Sequence, residues 1–168
     1  DLQVKPLWTA QPRPDLECTI CFGADMLIVT TEALEAPAQE LATFKRTRGM
    51  SVDVAVMPAA TVSSGDLDAM RGWVDLVIEA RYHYCDTRLE YVILLADSDA
   101  IPAWTLESSD SSLLGTDSFY GLVGIVTDEH STFRTMQSDG DLPLWPEIQV
   151  GRMSADTAEE GFRIVNTT

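Results

Sequence analysis

Strand-length apolar runs alternate along this chain with longer segments whose apolar residues recur at helical spacing, and that alternation leaves few folds open. Asp25-Met-Leu-Ile-Val-Thr30 is a continuous apolar run with no polar face left for solvent, the pattern of a strand covered on both sides. Tyr91–Ala96 has the same character, and Ile148-Gln-Val150 is a shorter third run. In Ser51-Val-Asp-Val-Ala-Val-Met57 the valines alternate with smaller or polar residues, which is strand periodicity nearer a sheet edge, and Pro58 marks the end of that strand.

The intervening segments carry helix punctuation. Pro37 suits a first helical turn, Leu41 and Phe44 fall on one face, and Gly49 is placed as a C-terminal cap behind Lys45-Arg46-Thr47-Arg48, whose positive charges suit the negative end of the helix dipole. Leu67, Met70, Val74, Val77 and Ile78 recur at helical spacing between Ser64, the expected N-cap, and Tyr84. Asp156-Thr-Ala-Glu159 has the D-x-x-E form of a capping box, with Ala158, Phe162 and Val165 on one side of a helix that carries no stop signal before Thr168.

Strands alternating with helices imply crossover connections and hence an α/β fold, a three-layer sandwich with a mainly parallel sheet. In such sheets ligands sit beyond the carboxyl ends of the strands, which directs attention to Thr30–Glu32, Asp97–Pro102 and Gly151–Ser154. The Ser-, Asp- and Gly-rich stretch 103–145 is too long for an idle connection and is expected to form a functional loop or hairpin on the same rim. Residues 1–24, with Pro6, Pro12, Pro14 and Gly23, read as a linker or the edge of a preceding domain, and 25–168 as one folding unit.

Composition excludes several roles. A chain of 168 residues that is 45% hydrophobic can build one core. Eleven basic against 27 acidic residues give a net charge of −16, which repels phosphate backbones and anionic membranes, so nucleic acid is not an expected partner. No apolar run approaches the roughly 20 residues that span a bilayer. Cys18 and Cys21 form a Cys-x-x-Cys pair, yet no second pair or His cluster completes a metal site, so a local disulfide or free thiols is the expectation; Cys85, at a helix end, reads as packing.

Three segments of the second half, taken in order, carry a family resemblance: Tyr91-Val-Ile-Leu-Leu-Ala-Asp-Ser-Asp-Ala-Ile-Pro102, Thr116-Asp-Ser-Phe-Tyr-Gly121 and Pro146-Glu-Ile-Gln-Val-Gly-Arg-Met-Ser154. Together they resemble the first half of the catalytic domain of gingipain-like cysteine peptidases, relatives of the caspases, over roughly Asp25 to Thr168. The resemblance implies a first α/β subdomain of a peptidase, truncated here before the Cys-His dyad, in which a thiolate attacks a peptide carbonyl and His serves as acid and base. On this reading the isolated chain is inactive, and its partners are a downstream catalytic subdomain and protein or peptide substrates.

The resemblance gives Glu147 the place of the acid that orients the catalytic His. Arg152 is expected to tie loops together by ion pairs. Neither His83 nor His130 stands before a Gly after a strand, as the family's catalytic His does, and both read as surface or packing residues. Asp97, Asp99 and Asp117 stand at strand ends, either as a substrate cleft attractive to a basic side chain, as ligands of a structural calcium, or simply as turn formers. Ser138-Asp-Gly-Asp141 is turn-like. No cofactor is required for the chemistry, structural calcium is compatible with the family, and the implied localisation is extracellular or at the cell surface. The competing reading is a non-catalytic α/β binding or signalling module. Its receiver-domain version, with Asp97 as phosphoacceptor, lacks an acidic pair after the first strand and any Lys beyond Lys45.

Overall fold

The computed structural model describes residues 23–84, 89–107, 113–123 and 146–167. Cys18, Cys21, Cys85, His130, Ser138–Asp141 and the side chain of His83 lie outside the described residues. The apolar runs become strands β1 (Met26–Thr31), β2 (Val52–Met57) and β3 (Tyr91–Leu95). Trp104–Glu107 and Leu113–Thr116 are β4 and β5, an antiparallel hairpin inside the stretch expected to form a loop or hairpin, and Gln149–Met153 is β6. β1, β2, β3 and β6 form one parallel sheet in the order β2-β1-β3-β6.

A parallel sheet must be covered on both faces, and the alternation within β1 shows how. All six of its residues are buried. Met26 and Ile28 point to the face covered by α1 (Glu35–Thr47), where Ala38, Leu41 and Ala42 pack with Val165. Leu27 and Val29 point to the opposite face, where Met70, Val74 and Ile78 of α3 (Leu67–Tyr84) meet Val92 and Leu94. Each fully buried Leu, Ile or Val side chain contributes about 1.5–3 kcal/mol. α4 (Ala158–Val165) lies beside α1, and its Gly161 is in such close contact that a Cβ there would come within 2.8 Å of Pro37 Cγ.

β2 is an edge strand, as its alternation implies, and Gly49 at φ 89° ends α1 in the left-handed region where glycine is unstrained. Helix starts are where the structure departs from expectation. A short helix α2 (Ala59–Ser63) precedes α3, and Asp66 rather than Ser64 caps α3, its Oδ1 accepting from the N–H groups of Asp68 and Ala69, both at 3.0 Å. Ser64 Oγ instead accepts from Asp66 N–H. Leu67, now in the first turn, is 47% exposed and leaves the core stripe.

The capping box of α4 is shifted by one residue: Thr157 Oγ1 accepts from Glu160 N–H, and Glu160 reaches back to Asp156 N–H at 3.1 Å. α4 ends at Val165, with Asn166 as its C-cap, and buries Gly161 and Val165 rather than Phe162.

Beyond the sheet, Ile101, Trp104, Phe119, Tyr120 and Val123 pack over the α3 face. Trp104 meets Phe119 edge-on with ring centroids 6.3 Å apart, and Tyr120, buried, donates its hydroxyl hydrogen to Pro102 O. Burial first, and the charge of Asp75 second, push that hydroxyl far above its ordinary pKa, so it stays a donor. Arg71 spans the join, donating to Ala103 O from Nε at 3.1 Å and Nη2 at 2.8 Å while lying over the Trp104 ring.

Gly121 explains the glycine of the second motif segment. Its carbonyl accepts from Glu147 and Ile148 N–H at 3.0 and 3.2 Å, and a Cβ there would come within 2.9 Å of Pro146 Cβ. Gly121→Ala should therefore destabilise the fold by about 1–3 kcal/mol, the usual cost of overpacking. Denaturant unfolding of the two forms checks this, and an unchanged midpoint would rule the close approach out.

Candidate functional site

The chain runs from β1 outward to β2 and then crosses over to β3 on the other side of β1, with α1 and α3 on opposite faces. The reversal between β1 and β3 is a topological switch point, where an α/β sheet opens a crevice at its carboxyl rim. Thr30 Oγ1, buried, donates to Leu95 O at 2.9 Å and joins the two strands at that point. Glu32, just after β1, is committed to structure, for its Oε1 accepts from Ala59 N–H at the start of α2.

Asp97 follows β3. Its N–H donates to Ala155 O at 3.1 Å, its carbonyl accepts from Ala100 and Ile101, and its Oδ1 accepts from Ser98 N–H at 2.6 Å. The turn chemistry expected of this segment is thus present, and it coexists with a clustering of acids. One carboxylate oxygen each from Asp97, Asp99 and Asp156 lie within 4.8 Å of one another. Asp156 reaches the group because Ala155, bonded to Asp97, directly precedes it.

An open depression of about 340 Å³ lies alongside, lined by Asp97, Ser154, Asp156, Glu160 and Arg163 among others. The Asp156 carboxyl is held above the usual carboxylate range by desolvation and then by the charges of Asp97, Asp99 and Glu160. Since the side chain is exposed, the neighbouring charges carry the physical weight.

Of the residues singled out in the sequence, Asp97 and Asp99 meet at this rim and Asp117 does not join them. Arg152 takes both Asp117 oxygens, Nε to Oδ2 at 2.8 Å and Nη2 to Oδ1 at 2.6 Å, and its Nη1 donates to Ala96 O at 3.0 Å. The expected loop-tying role of Arg152 is observed.

Glu147 lies at the other end of the sheet. It precedes β6, whose first residue Gln149 is level with Tyr91, the first of β3, and its Oε2 accepts from Val123 N–H at 3.2 Å. The five residues of β6, at about 3.3 Å each, put roughly 16 Å between the rims, and Glu147 is on the amino rim. Asp156 is expected from the sequence only as a helix cap, and Glu160 carries no expectation there. The signal that could have found them is position, since Asp156 lies two residues beyond Ser154 at the carboxyl end of a strand.

The site thus belongs to a parallel α/β domain with an acidic carboxyl rim. Residues 22–168 match Peptidase family C25, and the chain belongs to that family of cysteine peptidase-related domains. No curated protein matches the chain in sequence. Among solved structures, the Arg-specific cysteine proteinase gingipain R is similar at a TM-score of 0.53 and 19% identity over 80% of this chain and 25% of its own. A complex of the pro- and mature domains of RgpB from Porphyromonas gingivalis gives 0.56 and 19% over 84% of this chain and 27% of its own. Latent dimeric PorU from the same organism gives 0.54 and 19% over 86% of this chain. The chain spans 15% of the PorU chain and about a quarter of the other two. These likenesses show the gingipain-like fold.

A carboxyl whose pKa is raised on folding favours the fold below its unfolded pKa and loses that contribution as pH rises through the folded one. Asp156→Asn should therefore be more stable than the parent at pH 7, with the advantage fading as pH falls below the ordinary aspartate value of about 3.9. Denaturant midpoints at the two pH values test this, and an Asn variant that is no more stable at pH 7 would refute the repulsion.

Proposed function

We propose that this chain is the first α/β subdomain of a gingipain-like cysteine endopeptidase, spanning residues 25–168. The thiolate and imidazole come from a downstream catalytic subdomain of the same parent protein, so the isolated chain does not cleave peptides. What supports the reading is membership of the peptidase family together with an acidic group at the carboxyl rim of a parallel sheet, after β3 and β6, the rim on which α/β enzymes place their ligands. An extracellular or cell-surface setting follows from the family. Among the described residues no helix is long and apolar enough to cross a membrane.

Two placements compete for the acid that partners the catalytic imidazole. The motif resemblance favours Glu147. The geometry favours the carboxyl-rim group of Asp97, Asp99 and Asp156, because an imidazole presented at that rim would be roughly 16 Å from the level of Glu147, against the roughly 3 Å of a working hydrogen bond. The same negative rim would attract a basic substrate side chain. It also holds the hard oxygen donors that a structural calcium would use, supplying the charged part of the about six to eight oxygens that ion takes. A thermal midpoint raised by calcium in the parent chain and unmoved in Asp97→Asn would support such a site, and no calcium effect in either would dismiss it.

In the full-length peptidase, Asp97→Asn or Asp156→Asn should lower kcat/KM by about tenfold or more, with Glu147→Gln within about twofold of the parent. The reverse ranking would return the role to Glu147. A full-length protein without thiol-dependent peptidase activity would favour the non-catalytic binding module instead.

A further inference from the structure

We propose that Arg152, gripped by Asp117, is a positioning residue that fixes Asp97 and Asp156 relative to each other. The inference rests on the reading that the carboxyl-rim acids are the working group of the site. Its core is a single peptide plane, the one joining Ala96 to Asp97. The carbonyl oxygen of that plane accepts from Arg152 Nη1 at 3.0 Å, and its N–H donates to Ala155 O at 3.1 Å. Both anchors belong to one stretch of chain, β6 and its continuation. Because a peptide unit is planar and stiff, two anchors on opposite edges fix its orientation, and with the Asp97 carbonyl held in turn by the Ala100 and Ile101 N–H groups they set the direction in which the Asp97 side chain leaves the backbone. Asp156 directly follows the second anchor, so the same plane sets the spacing of the two acids.

Asp117 makes the arrangement work. By accepting from Nε and Nη2 it turns the guanidinium so that Nη1 faces Ala96 O, and it neutralises a cation that is only 13% exposed. A lysine has the charge but not the planar fork, and it cannot hold Asp117 by two bonds while a third nitrogen reaches Ala96. Arg163 is the cation lining the depression, and Arg152 is engaged away from the acids, so the clamp orders the rim without discharging it.

The test is residue-specific amide exchange by NMR in the 168-residue chain, comparing the parent with Arg152→Lys and with Asp117→Asn. Asp97 N–H should exchange about tenfold faster in Arg152→Lys while the amides of β1 keep their parent rates, because a local anchor is lost and the global fold is not. Asp117→Asn retains Arg152 and keeps the test open if the lysine variant fails to fold; it should speed exchange at Asp97 in the same way. Exchange at Asp97 that stays in step with β1 in both variants would overturn the proposal. The readout does not depend on peptidase activity, so a failure of the rim acids in kinetics would sink the functional reading and leave the clamp standing or falling on its own.

Discussion

The structure hangs on the requirement that a parallel strand with no polar face be covered from both sides. β1 is that strand, buried at all six positions, and it can exist only with a helix layer above and another below. One chain can supply both layers by crossing over one face on the way to β2 and the other on the way back to β3, which is the path taken by α1 and α3. The reversal of direction that this entails opens the crevice between the carboxyl ends of β1 and β3. Burial at the centre of the sheet thus determines where a ligand site can form, before any functional side chain is chosen.

A second set of constraints attaches residues 96–107 and 113–123 to that frame, and here arginine is the recurring device. Arg71 joins α3 to Ala103 O and the Trp104 face, and Arg152 joins β6 to Asp117 and Ala96 O. Each fork donates to a main-chain carbonyl of the segment, and each is partly sheltered from water, where hydrogen bonds to a charged group contribute about 1.5–3 kcal/mol rather than the few tenths of a surface pair. Arg81 with Asp53, at 2.7 Å, is more open to solvent, with side chains 30% and 41% exposed, and should contribute less.

Elements with a strong period were legible from residues alone. Met26–Thr31, Val52–Met57 and Tyr91–Leu95 follow from apolar runs and alternation, and the core stripe of α3 from Met70, Val74 and Ile78, because burial acts on many residues at once. Helix starts were harder, since they turn on one hydrogen bond among near-equivalent candidates. Ser64 and Asp66 are both good N-caps, and only the interposed α2 decides between them. Asp156-x-x-Glu159 and Thr157-x-x-Glu160 are overlapping capping boxes, and the chain uses the second. Glu147 shows the limit of a motif. Its place before a strand was readable, yet which rim that strand start occupies depends on the register of β6 with β3, a long-range pairing that no local pattern encodes. The grouping of Asp97 with Asp156, 59 positions apart in the sequence, depends on the same pairing.

The acidic rim also shows why turn chemistry and function need not be alternatives. Asp97 caps its own turn through Ser98 N–H, and Asp156 leads into the cap of α4, so each has a local reason to be where it is. What local reasons do not require is that the two ends of β3 and β6 bring these carboxylates within 4.8 Å of each other and of Asp99 in a chain already carrying a charge of −16. Exposure to water keeps the repulsion tolerable, and desolvation followed by the charges of Asp97, Asp99 and Glu160 raises the Asp156 carboxyl. A fold optimised for stability alone would place a neutral or basic residue at one of the three positions. Retaining all three acids at the carboxyl rim, while Arg152 is turned aside onto Asp117, is the kind of local disagreement with stability that active sites carry.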